Sequence, residues 1–231
     1  MFFIDPLYII MIVPAFILSI YAQIKVKSAY ARYSKIPTMR GITGAEAARM
    51  ILASLGMNDV AIEPARGFLT DHYDPSSRVL RLSEGVYRGT SIASVGVAAH
   101  ESGHAIQHAR GYAPLKLRSA LVPVTMLGSN LAWPLLIIGF IFMSRSLITA
   151  GIVFFSFAVL FQLVTLPVEF DASARALKVL PATGILTDKE VQGARKVLSA
   201  AAMTYVAAAA AAILQLLYFM LRAGLLGGGD D

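Results

Sequence analysis

The chain has 231 residues, of which 57% are hydrophobic and 15% charged, with a formal net charge of +6 and no cysteine. That composition is too apolar for a soluble domain of this size, and the missing thiols exclude disulfides and cysteine-ligated metals. An integral membrane protein, mainly α-helical, is predicted.

Pro6 to Ile24 is the first of four stretches without Asp, Glu, Lys or Arg over a bilayer's span of roughly 20 residues. Transmembrane helices are expected at residues 6–24, 119–143, 147–168 and 199–221. The first stretch carries Pro14, but it has no basic n-region and no small-residue cleavage site before Lys25. It therefore reads as a retained anchor rather than a signal peptide. The polar segments 25–118 and 169–198 are expected to carry the catalytic groups of a single membrane-embedded domain covering residues 1–231.

Within the first polar segment, "TGAEAARMILASLG" opens on the capping-box pair Thr43 and Glu46 and closes on Gly56, which predicts an amphipathic helix. "VAIEPARGFLTDHYDPSSRVLRLS" alternates weakly about a turn at Asp74, Pro75, Ser76 and Ser77, so a short hairpin follows. Its better strand, Arg78 to Leu82, is a candidate edge for an extended substrate. Thr90 or Ser91 caps the next helix, "SIASVGVAAHESGHAIQHARG", which runs to Gly111 and almost directly into the second span.

That helix holds three of the four histidines, His100, His104 and His108, at intervals of four. His100-Glu101-Ser102-Gly103-His104 is an HExxH sequence. Histidines at i and i+4 share one helix face and reach a single Zn²⁺, while the Glu beside the first addresses a water bound there as general base. Apolar flanks set these polar groups on a buried helix, where unpaired His and Glu would be costly.

A catalytic zinc site needs a third protein ligand. His108 lies about 12 Å along the helix axis from His100, too far for two Zn–N bonds of about 2 Å to bridge. It is expected to be a polar neighbour one turn on. Glu169, just after Pro167 at the end of the third span, is the better candidate, because two spans return the chain to the side it left. Asp171 points roughly 200° away from Glu169 on a helix.

Of the 20 Lys and Arg residues, 18 fall in the two polar segments. By the positive-inside rule those segments are cytoplasmic and both termini extracytoplasmic. The positive charge is thus a topology signal, and no nucleic-acid partner is expected. Lys25, Lys27, Arg32 and Lys35 are placed to meet anionic lipid. The alanine run Ala207 to Ala212 lies inside the last span, where small residues allow close helix packing. The terminal "GGGDD" is expected to be a frayed tail.

"DHYDP", "HESGHAIQH" and "PVEFDASARAL", with four hydrophobic spans in this length, resemble the YugP-like neutral zinc metallopeptidases of bacterial membranes. More distantly, HExxH followed by a Glu-led helix is similar to the HtpX and CaaX-type gluzincins. The resemblance implies a small cytoplasmic α+β zincin-like region attached to the four spans. It also implies one Zn²⁺ per chain held by His100, His104 and Glu169, with Glu101 as catalytic base. The distant group has an Asp four residues after the ligand Glu, where this chain has Ser173. Support for a zinc histidine is therefore sought in Asp171 or elsewhere.

A peptide hydrolase must also stabilise an oxyanion, and His72, Tyr73 and Arg175 are the available donors near these motifs. The reading is a membrane-embedded zinc endopeptidase with a peptide or membrane-protein substrate. The competing reading is a non-enzymatic scaffold or transporter with a structural metal, which a fourth ligand such as His72 would close.

Overall fold

In the computed structural model, which describes residues 5–226, seven helices and three short strands follow in the order α1 (Pro6–Tyr33), α2 (Gly44–Ser54), β1 (Ala61–Ala65), β2 (His72–Asp74), β3 (Val79–Ser83), α3 (Glu84–Tyr87), α4 (Ile92–Ala109), α5 (Ala113–Ile141), α6 (Arg145–Ala182) and α7 (Asp188–Arg222). The terminal "GGGDD" lies outside the described residues.

Helices α1, α5, α6 and α7 are each long and apolar enough to cross a membrane. In the most apolar window of α1 only 11% of the residues are buried. An exposed apolar surface of that extent calls for lipid rather than water around it. All four helices outrun the charge-free stretches. The third expected span ends at residue 168, yet α6 continues without a break to Ala182. A helix needs only its backbone hydrogen bonds to pass from an apolar to a polar stretch, so charge marks where lipid ends and not where the helix ends.

The molecule divides into two compact units. Among the described residues, the first comprises residues 5–22, 116–166 and 204–226. Its core is Leu136, Ile148, Ile152, Phe155, Val159 and Phe219. Trp133, Phe155 and Phe219 meet edge to face with ring centres 5.5 to 6.3 Å apart, the arrangement that aromatic quadrupoles favour.

The second unit comprises Gln23–Leu115 and Pro167–Met203. Its fully buried residues include Ile51, Leu80, Leu82, Val86, Val95 and Leu180. Thr43 caps α2 as expected: its side chain accepts from the Glu46 N–H at 3.2 Å, and Glu46 accepts from the Thr43 N–H at 2.7 Å. Gly56, at φ +72°, then turns the chain out of the helix. Strands β2 and β3 form the expected antiparallel hairpin. Asp74 holds its turn by accepting from the Ser76 N–H at 2.9 Å and from the Ser76 and Ser77 hydroxyls, both at 2.6 Å.

The expectation that Arg78 to Leu82 offers a free edge is corrected. Strand β3 is the middle of the sheet, paired antiparallel with β2 on one side and parallel with β1 on the other. Both of its edges are used, so an added strand would have to join β1 or β2. Beyond the sheet, the Ser91 hydroxyl accepts from the Ser94 N–H at 3.1 Å and starts α4.

Candidate metal centre

Helix α4 is continuous from Ile92 to Ala109, so His100 and His104 lie one turn apart on one face. Their rings stand edge to face with centres 4.8 Å apart. Glu169 of α6 closes the group: its Oε2 is 3.2 Å from Nε2 of His100 and 3.6 Å from Nε2 of His104. Ligands at zinc-bond lengths around a tetrahedral ion stand about 3.3 Å from one another, so the three donors fit such an ion. Among the described residues, these three form a group whose ligand atoms all lie within 4.8 Å of one another. They leave a fourth tetrahedral position without a protein ligand from that group.

The electrostatics agree with a cation there. Glu169 is 3% exposed and Glu101 and His104 are each 8% exposed, and two carboxylates at such depth need positive charge nearby. Burial pushes the His104 imidazole toward its neutral form. The hydrogen bond to Glu169 and the charges of Glu101 and Glu169 overcome that and raise its pKa above the ordinary value. Glu101 is next to His100 on α4, about 100° further round the helix, and is not part of that donor group.

Close approach of α4 and α6 makes this geometry. Gly103 faces Ala172, and a Cβ on Gly103 would stand 2.6 Å from the Ala172 carbonyl oxygen. The glycine between the two histidines is what admits the helix carrying Glu169.

Both histidines are held from behind. Nδ1 of His100 meets the Ser173 hydroxyl at 3.1 Å, so Ser173 supports a histidine of the donor group. Nδ1 of His104 meets Oε1 of Gln107 at 3.0 Å. Gln107 is fully buried, and its amide nitrogen donates to the Val168 carbonyl at 2.8 Å and to Asp171 at 2.7 Å. Asp171 thus reaches His104 through Gln107. Gln107 was not among the expected site residues. The signal for it was its place in the row: it lies about 60° round the helix from His104, and about 20° from His100.

The structure brings none of the remaining candidates into direct contact with the donor group. Nδ1 of His108 meets the Tyr73 hydroxyl at 2.9 Å, consistent with a polar neighbour one turn on. His72 is exposed, with Nδ1 on the Thr70 carbonyl at 2.8 Å. Arg175 donates from Nε to Asp171 at 2.5 Å, and its guanidinium lies 5.7 Å from the centre of the Tyr112 ring. A cavity of about 170 Å³ is bounded by Met57, Tyr73, Arg78, Ala105 and His108, among others, and none of His100, His104 and Glu169 lines it.

Comparison with known proteins gives the site a context. Residues 8–224 match the family described as "Putative neutral zinc metallopeptidase". The chain is 50% identical over 215 residues to the "Putative membrane protease YugP" of Bacillus subtilis (strain 168), covering 93% of this chain and 96% of that protein. No solved structure matches it. Matched from the first apolar helix to the last, and carrying a donor set suited to zinc, the chain belongs to the neutral zinc metallopeptidase family.

Proposed function

We propose that the protein is a membrane-embedded, zinc-dependent endopeptidase of the HExxH gluzincin type that hydrolyses peptide bonds with water. The observation that carries this reading is the donor group His100, His104 and Glu169, the last two buried, with a position to spare, beside a buried Glu101 outside that group. A structural metal would be closed by a fourth protein ligand, which the described cluster lacks.

In this reading His100, His104 and Glu169 hold one zinc per chain. When bound, the metal acidifies a water and polarises the scissile carbonyl. Glu101 takes the proton from the attacking water and passes it to the departing amide nitrogen. Its burial keeps bulk water from competing for that proton. His72 and Arg175 are carried as donors to the oxyanion. Each has a partner already, Thr70 on Nδ1 of His72 and Asp171 on Nε of Arg175, which leaves the other ring nitrogen and the other guanidinium N–H groups for that role.

The substrate class is a peptide or membrane protein, met at the bilayer. The cation distribution supports a cytoplasmic site with extracytoplasmic termini. The test is Glu101→Gln in the purified full-length protein. It should retain roughly one zinc per chain while losing proteolysis by orders of magnitude. Activity surviving in that variant, free of contaminating protease, would remove the base from the mechanism.

A further inference from the structure

Position 107 has to satisfy two demands of opposite sign. On its α6 side stand two acceptors, the Val168 carbonyl at 2.8 Å and Oδ2 of Asp171 at 2.7 Å. On its other side stands Nδ1 of His104 at 3.0 Å. An amide nitrogen has two protons, and here both are committed to those acceptors. The amide cannot turn over without setting its oxygen against them, so Oε1 faces His104. An imidazole nitrogen facing an acceptor carries the proton, so with Nδ1–H held by Gln107 it is Nε2, on the side of Glu169, that gives up its proton and presents a lone pair when a cation binds. Asp171 is held in turn by Arg175 at 2.5 Å.

We propose that Gln107 is a positioning residue of the metal centre: backed by Asp171, it locks His104 in the tautomer that offers Nε2 to a cation. The proposal rests on reading His100, His104 and Glu169 as a zinc site. Metal-bound histidines ordinarily hand their second N–H to a carboxylate, a carbonyl or water. A carboxylate here would face the Asp171 carboxylate and the Val168 carbonyl with nothing to donate. Among side chains of this length, glutamine alone donates on one side and accepts on the other. The arrangement also leaves the negative charge of Asp171 one residue removed from the imidazole, where Arg175 offsets it.

The test uses the full-length protein in detergent, with zinc affinity measured by chelator competition. The Nδ1–H of His104 is followed in nitrogen-15 spectra of the zinc-loaded imidazoles, which four histidines keep simple. Gln107→Leu, close in volume, should weaken zinc binding about 10- to 100-fold and expose that proton to exchange with water. Gln107→Glu should weaken it similarly by opposing Asp171. The double variant Gln107→Glu/Asp171→Asn reverses donor and acceptor toward position 171, with the Val168 carbonyl still opposed, and should regain part of what Gln107→Glu loses.

A residue that only fills space would not be rescued by exchanging charge with Asp171. A helical Gln107→Leu with wild-type zinc affinity and a protected Nδ1–H would overturn the proposal. So would a double variant that binds zinc no better than Gln107→Glu alone. A wild-type protein that binds no zinc would instead defeat the reading of the site itself, and that measurement precedes any variant.

Discussion

Gly103 and Ala172 touch backbone to backbone: a methyl group at Gly103 would lie 2.6 Å from the Ala172 oxygen and 3.1 Å from its Cα. Ala172 sits between Glu169 and Ser173 on α6, so this contact sets the height and distance at which both residues meet the histidines. Alanine favours a helix over glycine by about 1 kcal/mol, yet here it has to push α6 away, and overpacking of this kind costs about 1 to 3 kcal/mol. Gly103→Ala should therefore lose stability in spite of its better propensity, and lose zinc affinity as Glu169 moves off. Thermal unfolding with and without zinc checks both. A variant as stable and as zinc-loaded as the wild type would mean that the helices can part without cost to the site.

The ligand set makes a sharper prediction. Glu169→Ala, His100→Ala and His104→Ala should each weaken zinc by more than the about 10- to 100-fold that losing an outer partner costs. His108→Ala should leave zinc content near wild type, because its ring contacts Tyr73 and not the cluster. Zinc per chain after dialysis is the measurement, with circular dichroism showing that each variant is still helical. Zinc lost from His108→Ala and kept by Glu169→Ala would reverse the assignment.

Much of this site is written along the chain, and the unwritten part has a common cause. His100 and His104 are legible because a helix converts a spacing of four into a shared face. Glu169 is legible because two charge-free stretches have to return the chain to the side it left. Gln107 is legible only as a neighbour on the histidine face, since its role depends on Val168 and Asp171, about sixty residues further on. The same holds for the sheet. The β2–β3 hairpin announces itself through the Asp74 turn, whereas the parallel pairing of β1 with β3 skips the strand between them and leaves no local pattern. Helix lengths escaped for another reason, because α6 carries its hydrogen-bond ladder past the last lipid-facing residue.

The two aspartates flanking His72 and Tyr73 should answer acid in opposite directions. Burial lifts the pKa of Asp71 above the ordinary carboxylate value, although the N–H and hydroxyl of Ser83 pull the other way. The hydroxyls of Ser76 and Ser77, with Arg81, hold Asp74 well below that value. Asp74 therefore binds its proton less readily folded than unfolded: its contribution to stability is full above the unfolded pKa of about 3.9 and disappears as pH falls through the folded value. Asp71 has the other sign, its contribution being full below the unfolded pKa and lost as pH rises through the raised folded value. Carboxyl-carbon NMR on lowering the pH from 7 should show Asp71 protonating well before Asp74. The reverse order would show that Asp71 is better solvated than its place beside Ser83 implies.

Sidedness follows from charge and can be read by chemistry. With 18 of the 20 cations in the two polar segments, the positive-inside rule predicts the HExxH helix on the cytoplasmic side and the α5–α6 turn outside. The chain has no cysteine, so a single introduced one reports alone. Ser34, Ser146 and Ser199 are all exposed on the protein surface, and each can carry the probe without disturbing a core. In intact cells an impermeant thiol reagent should label Ser146→Cys and spare Ser34→Cys and Ser199→Cys, while all three label once the membrane is opened. Labelling of Ser34→Cys from outside would invert the arrangement. The donor group of His100, His104 and Glu169 would then act on substrates beyond the membrane, with the same chemistry and a different pool of proteins to cut.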